Sequence, residues 1–228
     1  MSTSTRGDVV AVIFDMDGLL LDTEAIYTEA MQLVLRRFGK SLDTGLRQQT
    51  VGLVARDLAA SVVATLSLPL SAEELLEERE PHLQAHLMNA AAMPGARELV
   101  LHLARHRIPM AVATSSRLES LQRKAHRHGD WFAHFSAVVT PDDAGVLAPK
   151  PAPDVFRIAA ERMGVRADRA LAFEDSPIGV QAAIAAGMRV IAVPHFAMDR
   201  SRFSIATAVL DSLAEFRPQD WGLPARER

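Results

Sequence analysis

Six short apolar runs constrain what this chain of 228 residues can fold into: Val9 to Ile13, Pro109 to Ala113, Ser136 to Val139, Ala170 to Phe173, Arg189 to Val193 and Ala208 to Leu210. Each has strand length, and together they read as buried strands. From Met93 onward helical periodicity separates them, over Arg97 to His106, Leu118 to His128, Asp154 to Met163 and Ile178 to Ala186. Gly164 and Gly187 close the last two helices. Strands alternating with helices build βαβ units and a parallel sheet. Hydrophobic residues make up 49% of the chain, enough for the core of such a sheet.

The first run is followed differently. Thr23 to Phe38 carries Ile26, Ala30, Leu33, Val34 and Phe38 at helical spacing and stops at Gly39. A second helix is expected from Val54 to Leu66. A third opens at the capping-box pattern Ser71-Ala72-Glu73-Glu74 and runs toward Asn89. No strand is expected between Leu20 and Met93. The predicted architecture is α/β: a Rossmann-like parallel core of residues 1–19 and 94–228, with an all-helical cap, residues 20–93, inserted after the first strand.

The formal net charge of -3 gives no electrostatic reason to expect nucleic acid or a membrane surface as partner. The absence of cysteine excludes disulfides, thiolate metal sites and a cysteine nucleophile. The first eight residues lack the apolar centre of a secretory signal, and no run is long and uncharged enough to span a bilayer. The expectation is a cytoplasmic monomer.

Four segments at strand ends carry the chemistry. Phe14-Asp15-Met16-Asp17-Gly18 places two carboxylates two positions apart, where open parallel sheets bind their ligands. Such a pair repels itself unless a cation or a proton intervenes. Thr114-Ser115-Ser116 puts hydroxyls between a strand and a helix start, a place that favours an anion. Lys150 precedes Pro151, which biases its backbone toward extended conformations. Glu174-Asp175-Ser176-Pro177 adds two acids and a helix start. Together these are a carboxylate nucleophile, a second acid, hydroxyl and cation groups for phosphate, and hard oxygen ligands suited to magnesium.

In order and spacing these segments resemble the four signature motifs of the haloacid dehalogenase-like hydrolase superfamily, in its helical-cap subgroup. The stretch from Leu66 to Leu75, that from Met93 to Ser116, and Trp221-Gly222-Leu223-Pro224 are similar to the pseudouridine-5'-phosphatases of that superfamily. The resemblance implies that Asp15 attacks phosphorus and becomes an aspartyl-phosphate. It implies that Asp17 protonates the leaving alcohol and then takes a proton from water. Ser115 would bind phosphoryl oxygens, with Thr114 shaping the turn, and Lys150 would neutralise charge. Magnesium would be held by Asp15, Asp175 and the Asp17 backbone carbonyl, with Glu174 a further ligand directly or through water. The partner expected is a small phosphorylated metabolite, pseudouridine 5'-phosphate first, with FMN and sugar phosphates behind it. Paired acids should also lift one carboxyl pKa, helping Asp17 to carry a proton.

Rival readings stand beside this one. A β-phosphoglucomutase-like isomerase would share all four motifs but usually carries histidine where Tyr27 stands. A dehalogenase would need neither metal nor second acid, and a non-enzymatic binding protein on the same fold would not need the full set. His126, His128 and His134 around Trp131 fit no zinc spacing and are expected as polar surface. Glu73, Glu74, Glu77, Glu78 and Glu80 read as a solvated helix face. His82 and His86 are expected at the surface too, and Met88 and Met93 as packing residues. Arg56 and Tyr27 are the candidate cap contacts to substrate.

Overall fold

The computed structural model describes residues 9–50, 53, 55–196 and 198–226. In chain order the strands are β1 (Ala11–Phe14), β2 (Leu21–Asp22), β3 (Ala91–Ala92), β4 (Met110–Ala113), β5 (Ala137–Val139), β6 (Ala170–Glu174), β7 (Arg189–Ala192) and β8 (Ala208–Val209). The helices are α1 (Glu24–Arg36), α2 (Thr44–Thr50), α3 (Ala55–Leu66), α4 (Ala72–His86), α5 (Ala96–Arg105), α6 (Leu118–Ala125), α7 (Gly129–Phe132), α8 (Asp154–Arg162) and α9 (Pro177–Ala185). Six strands form one parallel sheet in the order β5-β4-β1-β6-β7-β8.

The sheet is buried on both faces, and β1 shows why its sequence lacks polar alternation. Val12 and Phe14 point into one apolar cluster, with Leu103, Trp131 and Phe173. Ile13, between them, points into the opposite cluster with Val155, Ile158 and Val180. A strand with helices on both faces is apolar at every position. Each such large side chain contributes roughly 1.5–3 kcal/mol on burial. The same register aligns the strand ends: Phe14 pairs with Val112 on β4 and with Phe173 on β6. The residues following β1, β4 and β6 therefore emerge side by side.

Helices α1 to α4 form the insertion and share a third apolar cluster, drawn from Met31, Val34, Leu35, Leu46, Val62 and Leu75 among others. Helix α4 starts with the capping box read from the sequence. Ser71 Oγ accepts from Glu74 N at 3.1 Å, and Glu74 Oε2 accepts from Ser71 N at 2.7 Å. Arg37 Nη1 reaches Glu78 Oε2 at 2.5 Å and ties α1 to α4.

The expectation of no strand between Leu20 and Met93 is corrected. Strands β2 and β3 pair antiparallel, Leu21 with Ala92 and Asp22 with Ala91, where the chain leaves and re-enters the core. Two residues are too few for a periodic signal, so this ribbon exists through tertiary proximity. Helix α2, likewise unforeseen, is only seven residues long. Val54, the expected start of the second helix, lies outside the described residues. Met88 is 40% exposed instead of packed, whereas Met93 does pack against the first cluster.

Of the three histidines near Trp131, His126 and His134 are exposed as expected, but His128 is half-buried. Its Nε2 lies 2.8 Å from Ala90 O, and its Nδ1 accepts from the indole of buried Trp131 at 3.3 Å. This is a structural link behind β3. Among the described residues no helix is long and apolar enough to cross a membrane.

Candidate active site

The site grows from the turn after β1. Asp15 continues the strand, donating its N–H to Phe173 O at 3.0 Å, and is 6% exposed. The chain then folds back tightly, with Leu20 N and Leu21 N both donating to Met16 O. Gly18 sits at φ +79°, and a Cβ there would lie 2.3 Å from Asp175 Oδ2. Both backbone conformation and space therefore require glycine at this position.

Lys150 is the hub of the buried cluster. Its Nζ donates to Asp15 Oδ1 at 2.6 Å, to Glu174 Oε1 at 2.6 Å and to Ala113 O at 3.1 Å. Glu174 is fully buried, and its other oxygen accepts from Ser176 N and Ser176 Oγ, each at 3.0 Å. Gly179 leaves room for this carboxylate, since a Cβ there would sit 1.8 Å from Glu174 Oε1. Both Glu174 oxygens are thus engaged by protein donors.

The electrostatics follow from burial. Asp15, Glu174 and Asp175 are buried around the single ammonium of Lys150. Burial pushes the Asp15 carboxyl up to about 7; Lys150 opposes the rise, while Glu174 and Asp17 add to it. Burial, reinforced by Glu174 and Asp15, also holds Asp175 well above the usual carboxylate range. For Lys150, burial lowers the pKa, but Asp15 and Glu174 outweigh it and hold the ammonium above its ordinary value.

The Asp17 side chain turns away from Lys150. Its Oδ1 accepts from Lys124 Nζ at 2.6 Å and its Oδ2 from Ser116 Oγ at 2.7 Å. Lys124 is completely buried and also reaches Ser116 Oγ at 2.7 Å and the Tyr27 hydroxyl at 3.1 Å. Thr114 is buried, and its Oγ1 accepts from Ser116 N at 3.0 Å, so it shapes the turn. Ser115 is exposed and lines a cavity of about 670 Å³ between the insertion and the core.

The fold thus gathers Asp15, Lys150, Glu174 and Asp175 at one point, with Asp17, Thr114 and Ser115 beside them. Tyr27, one of the two anticipated contacts from the insertion, lines the cavity. Arg56 does not; its side chain is 78% exposed and pairs with Glu73 at 2.8 Å. Sequence reasoning missed Lys124 and passed over Ser116 in favour of its neighbours. A lysine three positions after buried Leu121, on the apolar phase of α6, was the available signal. Glu24 was also overlooked as a site group. Burial raises its pKa, against the pull of His195, with Asp22 and Asp17 pushing it further up.

Comparison with known proteins identifies the family. Residues 9–187 match the family model of haloacid dehalogenase-like hydrolases. The chain is 40% identical over 228 residues to a Drosophila melanogaster protein named probable pseudouridine-5'-phosphatase, covering 99% of both chains. It is 42% identical over 230 residues to (DL)-glycerol-3-phosphatase 2 of Arabidopsis thaliana, covering 99% of this chain and 96% of that one. A crystal structure of a Deinococcus radiodurans hydrolase of the same family, with bound phosphate and sodium, superposes with a TM-score of 0.79 at 28% identity, covering 93% and 95% of the two chains. The chain belongs to the haloacid dehalogenase-like hydrolase family and is a phosphoric monoester hydrolase within it.

Proposed function

We propose that this hydrolase releases phosphate from a small metabolite through an aspartyl-phosphate on Asp15, with magnesium as cofactor and helices α1 to α4, within residues 20–93, acting as a cap. The observation that carries the reading is Asp15 itself, buried at the carboxyl end of β1 and held by Lys150 at 2.6 Å. Lys150 fixes the orientation of one carboxylate oxygen and leaves the other free to attack. It also supplies positive charge to the phosphoryl oxygens as they gather charge. Ser115 and the backbone beside Thr114 would bind those oxygens. Asp17 would donate the proton to the leaving alcohol and then accept one from the attacking water.

The residues present fit a divalent cation. Three buried carboxylates face one ammonium; burial raises the pKa values of Asp15 and Asp175, and the neighbouring carboxylates add to the rise. Among the described residues no three His, Cys, Asp or Glu side chains form a metal-binding group. Asp15 and Asp175 would hold magnesium together with the Asp17 backbone carbonyl, the set that the family resemblance implies. Glu174, already engaged by Lys150 and Ser176, would act by positioning Lys150. When bound, magnesium supplies charge neutralisation for the phosphoryl group and the nucleophile.

Pseudouridine 5'-phosphate and glycerol 3-phosphate are the substrates to test first, on the strength of the two relatives. Phosphate release should be measured with magnesium for wild type and Asp15→Asn. The variant is expected to lose about a thousandfold or more in turnover on every ester. Substantial residual turnover would remove Asp15 as nucleophile.

A further inference from the structure

The parallel sheet ends in two edge strands, β5 and β8, at opposite ends of the strand order. An edge strand has main-chain N–H and C=O groups with no strand beyond them, and a strand of another molecule can pair there. Natural edges are commonly blunted by a charged residue or a proline within the strand. Neither edge here has one. Ser136-Ala137-Val138-Val139-Thr140 and Thr207-Ala208-Val209-Leu210 are uncharged, apolar at their centres, and carry β-branched residues. That composition favours pairing between copies of the same segment.

Both edges are closed in the same way. At β5, Ser136 N donates to Met110 O at 2.7 Å and Val139 O accepts from Thr114 N at 3.0 Å, both on the β4 side. The carbonyl of Val138, between them, accepts instead from Arg162 Nη1 at 2.9 Å. Arg162 is the last residue of α8, and its Nη2 pairs with Asp143 Oδ1 at 2.5 Å. Asp143 is fixed in turn by Thr140 N, which donates to its other oxygen at 2.7 Å.

At β8, Thr207 N donates to Val190 O at 2.8 Å and Leu210 N to Ala192 O at 2.9 Å, both on β7. The Val209 carbonyl accepts from Arg200 Nη2 at 3.3 Å, and Arg200 Nη1 pairs with Asp211, two residues beyond the strand. Each edge thus has one carbonyl closed by an arginine from outside the strand, anchored by an aspartate from the turn that follows the strand. The arrangement arises twice, from unrelated local sequences, at the two places where the sheet is open. An incoming strand would have to displace a charge-assisted pair and set a guanidinium, stripped of water, against its own backbone.

We propose that Arg162 and Arg200 are edge guards, which keep the sheet from extending into a second copy of this chain through β5 or β8. This role does not depend on the phosphatase reading.

The test is sedimentation velocity of full-length wild type, Arg162→Ala, Arg200→Ala and the double variant over a concentration series, below their unfolding transitions. Arg157→Ala is the control, since Arg157 also lies on α8 but bonds to Glu161, at 2.8 Å, one turn along that helix. Each guard variant is expected to associate at a concentration about tenfold or more below that of wild type, and the double variant lower still. Hydrogen exchange on the associated species should show new protection over residues 136–140 or 207–210. The proposal is overturned if the folded variants sediment as wild type does, or if Arg157→Ala associates as readily. It is equally overturned if the new protection lies elsewhere, or if wild type itself associates through these two segments. Should Arg162→Ala fail to fold, Arg200→Ala decides alone.

Discussion

Lys150 and Lys124 are two buried ammonium groups with different duties. Lys150 sits between Asp15 and Glu174, each at 2.6 Å, and offsets part of their mutual repulsion. Replacing it with methionine leaves both carboxylates buried without their cation. Lys150→Met should therefore lose activity and about 3–5 kcal/mol of stability, read by denaturant unfolding. Lys124 holds Asp17 and Ser116 from one side and the Tyr27 hydroxyl from the other. Lys124→Met should lower kcat by about a hundredfold with a smaller change in KM, because it releases Asp17 while leaving the contacts of Lys150 with Asp15 and Glu174 in place. Lys124→Arg, which keeps the charge, should restore part of kcat; equal losses in both variants would argue against a positioning role.

At the level of elements, short connections matter more than long helices. Gly95 precedes α5 at φ +80°, and a Cβ there would lie 2.3 Å from the backbone nitrogen of Ala214. The start of α5 and the 3-10 turn Leu213–Glu215 thus meet backbone to backbone, far along the chain from each other. Gly95→Ala should destabilise by at least about 2 kcal/mol while leaving KM alone, since it strains the core and not the site. Thermal unfolding and steady-state kinetics on one preparation separate the two effects. The β2–β3 ribbon plays a comparable part for the insertion, with Met93 N donating to Leu20 O at 2.9 Å just beyond it.

For the whole molecule, the balance of buried charge links stability to pH and metal. Asp15 has a folded pKa raised to about 7 from an ordinary value of 3.8, so the folded state holds its proton more tightly than the unfolded chain. Its contribution to stability is present below the unfolded value, declines as pH rises between the two, and is lost above about 7. Asp175, raised for the same reason, acts in the same direction. Metal-free wild type should therefore lose melting temperature relative to Asp15→Asn as pH rises from 5 to about 7.5. Added magnesium should raise the melting temperature more at the upper end of that range, and chelation should abolish turnover. A wild-type minus variant difference that stays flat with pH would contradict the buried-charge account. Much of this protein was legible in its letters. Apolar runs such as Val9 to Ile13 marked the parallel sheet, because strands covered on both faces need apolar side chains throughout. Asp15 and Glu174 could be singled out because a strand end followed by a turn is a local pattern, and Lys150, which lies in the loop between β5 and α8 and not at a strand end, because it stands between prolines. Local pattern ends there, however. That Asp17 turns to Lys124, that Glu174 spends both oxygens on Lys150 and Ser176, that Arg56 faces water, and that Leu21 pairs with Ala92 were decided by tertiary structure alone. Apart from Glu174 with Ser176, such contacts join residues two dozen or more positions apart, and what selects them is distance and burial in the folded chain, quantities that neighbouring letters do not carry.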